Sequence, residues 1–182
     1  MLQFQNQESS QTLSEGIAEF HAANPQLATR NFSGALAASF FPAHDAMHVL
    51  FGQNTDIDGE AIVKYWTIGA TDLGFWGLFK YRNVQEVVDL RQGLPMRSYL
   101  RIALPMIPGL LPAFLRGLKI AKNALTKPWA HFDWQQHLDR PLNEIRAEYG
   151  IDIHALDEAA PKIPAELRAM FDAPQPTPKP TN

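Results

Sequence analysis

The chain has 182 residues, of which 46% are hydrophobic and 19% charged, with a formal net charge of −3 and no cysteine. That length supports one domain with a sizeable core and is short for two. The absence of thiols excludes disulfides, thiolate metal sites, iron–sulfur clusters and cysteine nucleophiles, so any metal must be held by nitrogen and oxygen, and the slightly acidic balance argues against a general nucleic-acid binder.

Residues 1–15 are polar and carry neither an apolar nor an Arg-rich stretch, so they read as neither a transit peptide nor a secretory signal. Residues 11–23 have helical periodicity, with Thr12 or Ser14 near the start and Pro25 just beyond the end. A second apolar-periodic stretch, 26–41, is expected to stop at Pro42. Residues 44–51 then form a short helix closed by Gly52. After a turn at 53–56, a new helix is expected to start near Asp58, whose carboxylate can cap the first turn, and to run to about Ala70.

Beyond it, Gly69, Gly74 and Gly77 interleave with Leu73, Phe75, Trp76, Leu78 and Phe79, a pattern that fits a loop over a pocket or a further helix. Residues 84–90 fit strand or helix. Residues 102–115 are uncharged but contain Pro105, Pro108 and Pro112, and they fall short of the roughly 17–25 residues a membrane-spanning helix needs. Residues 111–125 read as a helix with Leu111, Leu115, Leu118 and Leu125 on one arc. A last helix spans 141–149, with Pro141 in its first turn and Gly150 after its end. No alternating pattern is sustained, so the expected fold is all-α: one helical domain over 1–171, and a disordered, proline-rich tail over 172–182.

The net charge hides a segregation. Residues 1–60 carry one base, Arg30, against seven acids, whereas residues 61–140 carry eleven bases against five acids. Between Asp89 and Asp133 there is no carboxylate, but Arg91, Arg97, Arg101, Arg116, Lys119, Lys122 and Lys127 all fall there. Such a stretch is either a solvated basic face or a cationic, apolar surface for anionic lipid or an anionic substrate. Arg97 and Arg101, four apart, fit a carboxylate or phosphate clamp as well as a solvated pair.

The chemistry concentrates in His44-Asp45-Ala46-Met47-His48, followed after eleven residues by Glu60. Residues four apart share one helix face, the spacing two imidazoles need to share a metal ion. Asp45 lies about 100° around the helix from His44, close enough to turn toward the same edge. A helix–turn–helix return can bring Glu60 back over the histidines. Two imidazoles and two carboxylates suit zinc or another divalent first-row metal. His21, His131, His137 and His154 have no partner pattern and read as surface or packing residues. No glycine-rich phosphate loop, dinucleotide fingerprint or nucleophile elbow is present.

The stretch HDAMHVLFGQNTDIDGE, residues 44–60, resembles the HDxxH-plus-Glu signature of the coenzyme Q (ubiquinone) biosynthesis protein family that acts on the ring carboxylate. PLNEIRAEYGI, residues 141–151, is more loosely similar to that family's C-terminal element. The basic segment 107–125 lacks the aromatic-rich form of eukaryotic members, and the chain carries no organelle-targeting extension.

The resemblance implies that His44, Asp45, His48 and Glu60 are the ligands of a zinc or other divalent ion and form the catalytic centre. It implies an all-helical homodimer, cytoplasmic and peripheral on the inner face of the membrane, working beside other ubiquinone-biosynthesis enzymes. The reaction implied is a lyase-type oxidative decarboxylation of a polyprenylated 4-hydroxybenzoate, with hydroxyl replacing the carboxylate. The prenyl lipid tail would need an apolar groove, for which Met106, Ile107, Leu110, Leu111, Phe114 and Leu118 are candidates, as are Phe75, Trp76 and Phe79; all of them fit plain core packing equally. Arg97, Arg101, Trp76 and Phe114 are the candidate substrate contacts. The alternative is a non-catalytic lipid-binding scaffold that organises the same enzymes. A metal-dependent hydrolase fits less well, because the zinc-protease helix has Glu, not Asp, after its first histidine.

Overall fold

The computed structural model describes residues 1–32, 34–74, 76–77, 115–116, 118–155, 165 and 168. It is all-α, and among the described residues there is no strand, only two isolated bridges, Thr12 with Pro141 and Thr71 with Trp129. After a 3-10 turn at Gln3–Gln5 come α1 (Leu13–Ala23), α2 (Pro25–Ala28), α3 (Ala35–Leu50) and α4 (Ile57–Ala70). Residues 118–124 are helical, a second 3-10 turn lies at Trp134–His137, and α5 spans Leu142–Tyr149. No helix among the described residues is long and apolar enough to cross a membrane.

Thr12 starts α1 with a reciprocal capping box. Its hydroxyl accepts from the Glu15 amide at 3.2 Å, and the Glu15 carboxylate accepts from the Thr12 amide at 2.8 Å. Leu13, Gly16 and Phe20 make the buried stripe. At Gly16 a β-carbon would stand 2.5 Å from Val49 Cγ1, so glycine lets α1 approach α3 closely.

The helix α3 corrects the expected break at Pro42. It runs unbroken from Ala35 through Pro42 to Leu50, and the early part of the expected 26–41 stretch holds only the short α2. Proline removes the amide that would bond the carbonyl one turn earlier, a local loss of about 3 kcal/mol in an isolated helix. Here burial on both sides of it outweighs that loss: Ala37, Phe40 and Ala43 are buried, as is every residue from Asp45 to Leu50. The helix ends as expected at Gly52, whose φ of 65° is in the left-handed region. The Gly52 amide donates to Val49 O and the Gln53 amide to His48 O, the paired bonds of a Schellman stop.

The turn after it feeds α4. Its cap is Asp56, two residues before the expected Asp58: Asp56 Oδ1 accepts from the Gly59 amide at 2.8 Å. The end of α4 is tied to the segment before the second 3-10 turn. Trp129 donates to Ala70 O at 2.9 Å, Asp72 donates to Trp129 O at 3.1 Å, and the His131 amide donates to Asp72 Oδ1 at 2.8 Å.

Arg146 on α5 locks the core. It is fully buried and its guanidinium donates to five carbonyls: Phe4, Asn6 and Gln7 near the N-terminus, and Val49 and Leu50 at the end of α3. Burial pushes its pKa down to about 10, still far above neutral, so it stays charged. Gly150, with φ of 71°, ends α5 as expected. Among the described residues of 111–125, Ala121 is the buried one and Leu115 is 55% exposed, so Leu115 does not join a buried leucine face. Leu111, the stretch 84–90 and the tail 172–182 lie outside the described residues.

Candidate metal centre

Three of the four residues singled out in the sequence converge. His44 and His48 stand one turn apart on α3, with ring centroids 4.8 Å apart. The Schellman turn and the Asp56 cap fold α4 back, and Glu60, in its first turn, reaches across to both. Glu60 Oε1 lies 3.3 Å from His48 Nε2, and Glu60 Oε2 lies 3.7 Å from His44 Nε2. One ligand atom from each residue lies within 4.8 Å of the others. Donors bound to one tetrahedral ion at about 2.0–2.2 Å sit about 3.3 Å apart, so small side-chain adjustments suffice to close the group around a cation.

The His48 side chain is buried to 1% exposure, and among the described residues neither ring nitrogen has a hydrogen-bond partner. The approach of Nε2 to Glu60 is short but misaligned for a hydrogen bond. A buried, unpaired imidazole ordinarily costs about 1–3 kcal/mol, and a cation between it and Glu60 would use that lone pair. Phe20 stacks on the His48 ring at 5.2 Å and Phe40 lies against His44 at 5.8 Å, giving the site an apolar back wall. The Glu60 side chain is 44% exposed, which leaves the opposite side open.

Protonation states suit ligation. Burial pushes the pKa of His44 down to about 4, with His48 acting in the same direction and Glu60 only partly opposing. Burial works to raise Glu60, but the two imidazoles facing it dominate and hold it at about 2. At neutral pH His44 is therefore uncharged and Glu60 ionised, the forms that bind metal. Among the described residues three candidate ligands come together with one side open, an arrangement that would leave a coordination position free on a bound ion.

Asp45 does not join them. It is buried on the face of α3 toward α1, where Arg30 Nη2 donates to both of its oxygens at 2.8 and 2.7 Å and His21 Nε2 lies 3.0 Å from Oδ2. Arg30 also sits over the Phe41 ring at 5.0 Å. The expected fourth ligand is instead the centre of an ion-pair network behind the site. His21 and Arg30 thus have roles that pattern reading missed; the one available signal was that Arg30 is the sole base among seven acids in the first sixty residues.

His131, read as a surface or packing residue, is fully buried with both ring nitrogens unpartnered among the described residues. Trp76 is 76% exposed. Arg97, Arg101 and Phe114 lie outside the described residues, as do Phe75, Phe79, Met106, Ile107, Leu110 and Leu111. No protein-family model, no curated protein and no solved structure matches this chain.

Proposed function

We propose that this chain is a metal-dependent enzyme that removes the ring carboxylate of a polyprenylated 4-hydroxybenzoate and leaves hydroxyl in its place, a step of ubiquinone biosynthesis. The observation that carries the reading is the convergence of His44, His48 and Glu60, with the buried His48 imidazole facing an ionised carboxylate. These three residues would hold zinc or another divalent first-row ion. Bound there, such an ion supplies Lewis acidity toward a carboxylate or phenolate oxygen.

The chain's own residues supply the setting. Phe20 and Phe40 exclude water behind the histidines and give an aromatic ring an apolar face. The exposed side of Glu60 is the direction of approach for substrate. The Asp45–Arg30–His21 network fixes α3 against α1, and so fixes the pitch at which His44 and His48 are offered. Replacing carboxylate by hydroxyl is a two-electron oxidation, in which acid and water give phenol, carbon dioxide, two protons and two electrons, so the assay must contain a two-electron acceptor, and dioxygen going to hydrogen peroxide balances it. The test is carbon dioxide release and gain of a ring hydroxyl when metal-loaded protein is given the polyprenylated acid. Activity in His44→Ala equal to the parent would sink the reading.

On the same reading the protein works at a membrane surface, as a homodimer and beside other enzymes that handle the prenylated ring. Arg116, Lys119 and Lys122 are exposed, which favours contact with anionic headgroups. Co-sedimentation with anionic vesicles at low salt and release at high salt is the expected behaviour. Absence from the vesicle pellet at low salt would contradict it.

A further inference from the structure

Lys64 follows Glu60 by four residues on α4, one turn on along the same face, and it is exposed. Glutamate followed by lysine at that spacing ordinarily forms an ion pair on the helix surface. Here it does not. Both Glu60 oxygens are turned toward the imidazoles, Oε1 to His48 and Oε2 to His44. The other acids at the start of α4 are engaged as well. Asp56 caps the Gly59 amide, and Asp58 accepts from Arg168 through Oδ1 at 3.0 Å and Oδ2 at 2.6 Å. Among the described residues the Lys64 ammonium is left with no carboxylate at ion-pair distance. Its charge is nevertheless felt at the site. Behind burial and His48, Lys64 adds to the lowering of the His44 pKa; behind the two imidazoles that outweigh burial, it adds to the lowering of Glu60.

The charges of a loaded centre do not balance. As ligands the imidazoles are neutral and Glu60 is an anion, so Glu60 offsets only half the charge of a divalent ion. Asp45 cannot supply the rest, because Arg30 and His21 hold it. Lys64 adds a further positive charge beside Glu60, the ligand whose exposure leaves the site open. Two cationic points next to one open coordination position suit an anion with two oxygens. We propose that Lys64 is an anion-binding residue of the metal centre: its ammonium donates to one oxygen of a ligand carboxylate whose other oxygen meets the ion held by His44, His48 and Glu60. This rests on the metal-centre reading above. It adds the second point of attachment, which would let the site select a carboxylate over a one-atom anion.

The experiment loads the full chain with cobalt(II), which takes the same nitrogen and oxygen donors as zinc and reports the entry of a ligand in its visible absorption. Acetate and chloride are titrated separately at low ionic strength, where the charge of an exposed lysine is least screened. In the wild type acetate is expected to shift the cobalt bands. Lys64→Gln is expected to keep its cobalt and to bind acetate about fivefold more weakly, the upper range for an exposed charge pair, with a smaller loss for chloride. Lys64→Arg is expected to restore most of the acetate affinity. A lysine that acts only through its field would weaken both anions alike, so equal losses overturn the contact. Acetate affinity unchanged in Lys64→Gln, or no acetate shift in a cobalt-loaded wild type, also overturns the role of Lys64 and leaves the metal centre standing. A wild type that takes no cobalt overturns both.

Discussion

Two buried ionic side chains set the terms for the rest of the molecule, and neither belongs to the site. Arg146 donates to five backbone carbonyls from two distant segments. Arg146→Met should therefore strand several buried acceptors and lower stability by on the order of 3 kcal/mol or more in chemical denaturation; a change within 0.5 kcal/mol would contradict this account. Asp45 is held the same way by Arg30 and His21. This is why only part of the site could be read from the sequence. The pairing of His44 with His48 follows from helical period alone, whereas the direction of Asp45 depends on partners fifteen and twenty-four residues away. Titration gives a further test at this scale. Folding holds His44 and His131 near 4, against an ordinary 6.5, so between those values the unfolded chain binds more protons. Their contribution to stability is complete above pH 6.5 and is lost as pH falls toward 4. Glu60, held near 2 against 4.5, adds a loss of the same sign at lower pH. The urea midpoint of metal-free protein should fall steadily from pH 7 to pH 4, and less steeply in His131→Phe; a flat profile would count against both burials.

The elements decide whether the ligands can meet. Glu60 is brought to α3 by a tight turn that leaves no room at Gly59, where a β-carbon would stand 2.1 Å from the Asn54 carbonyl oxygen. Gly59→Ala must push the turn outward and shift Glu60 with it. Zinc affinity should drop by at least about tenfold, the effect of small misplacements around a metal site, and competition with a chelating dye would measure it. Unchanged affinity would mean that the turn does not position Glu60. Helix ends with local signals were legible in advance: Thr12, one of the two starts offered for α1, Gly52 and Gly150 all act where expected, while Pro141 sits at the cap, one residue before α5 rather than in its first turn. Pro42 misled because its cost is local, while the burial that carries α3 through it comes from packing with the rest of the fold. Asp58 gave way to Asp56 as the cap because both are acidic, and only the turn geometry decides which carboxylate reaches the Gly59 amide.

Taken whole, the described molecule is a helical scaffold in which α3 carries two of the candidate ligands, α4 returns the third, and Arg146 of α5 clamps the N-terminal segment to the end of α3. Composition foretold the nature of the centre: with no cysteine available, a metal site had to be built from imidazole and carboxylate. Its surroundings were harder to foresee, because His131 meets Phe40, one turn before His44, through a long-range contact that no periodicity announces. The claim on which the rest depends is that His44, His48 and Glu60 bind a metal and Asp45 does not. Elemental analysis of purified protein after exposure to zinc and removal of excess tests it most directly. The account predicts about one zinc per chain in the wild type, none in His48→Ala, and a full complement in a less stable Asp45→Asn. Zinc retained by His48→Ala, or lost from a folded Asp45→Asn, would contradict it.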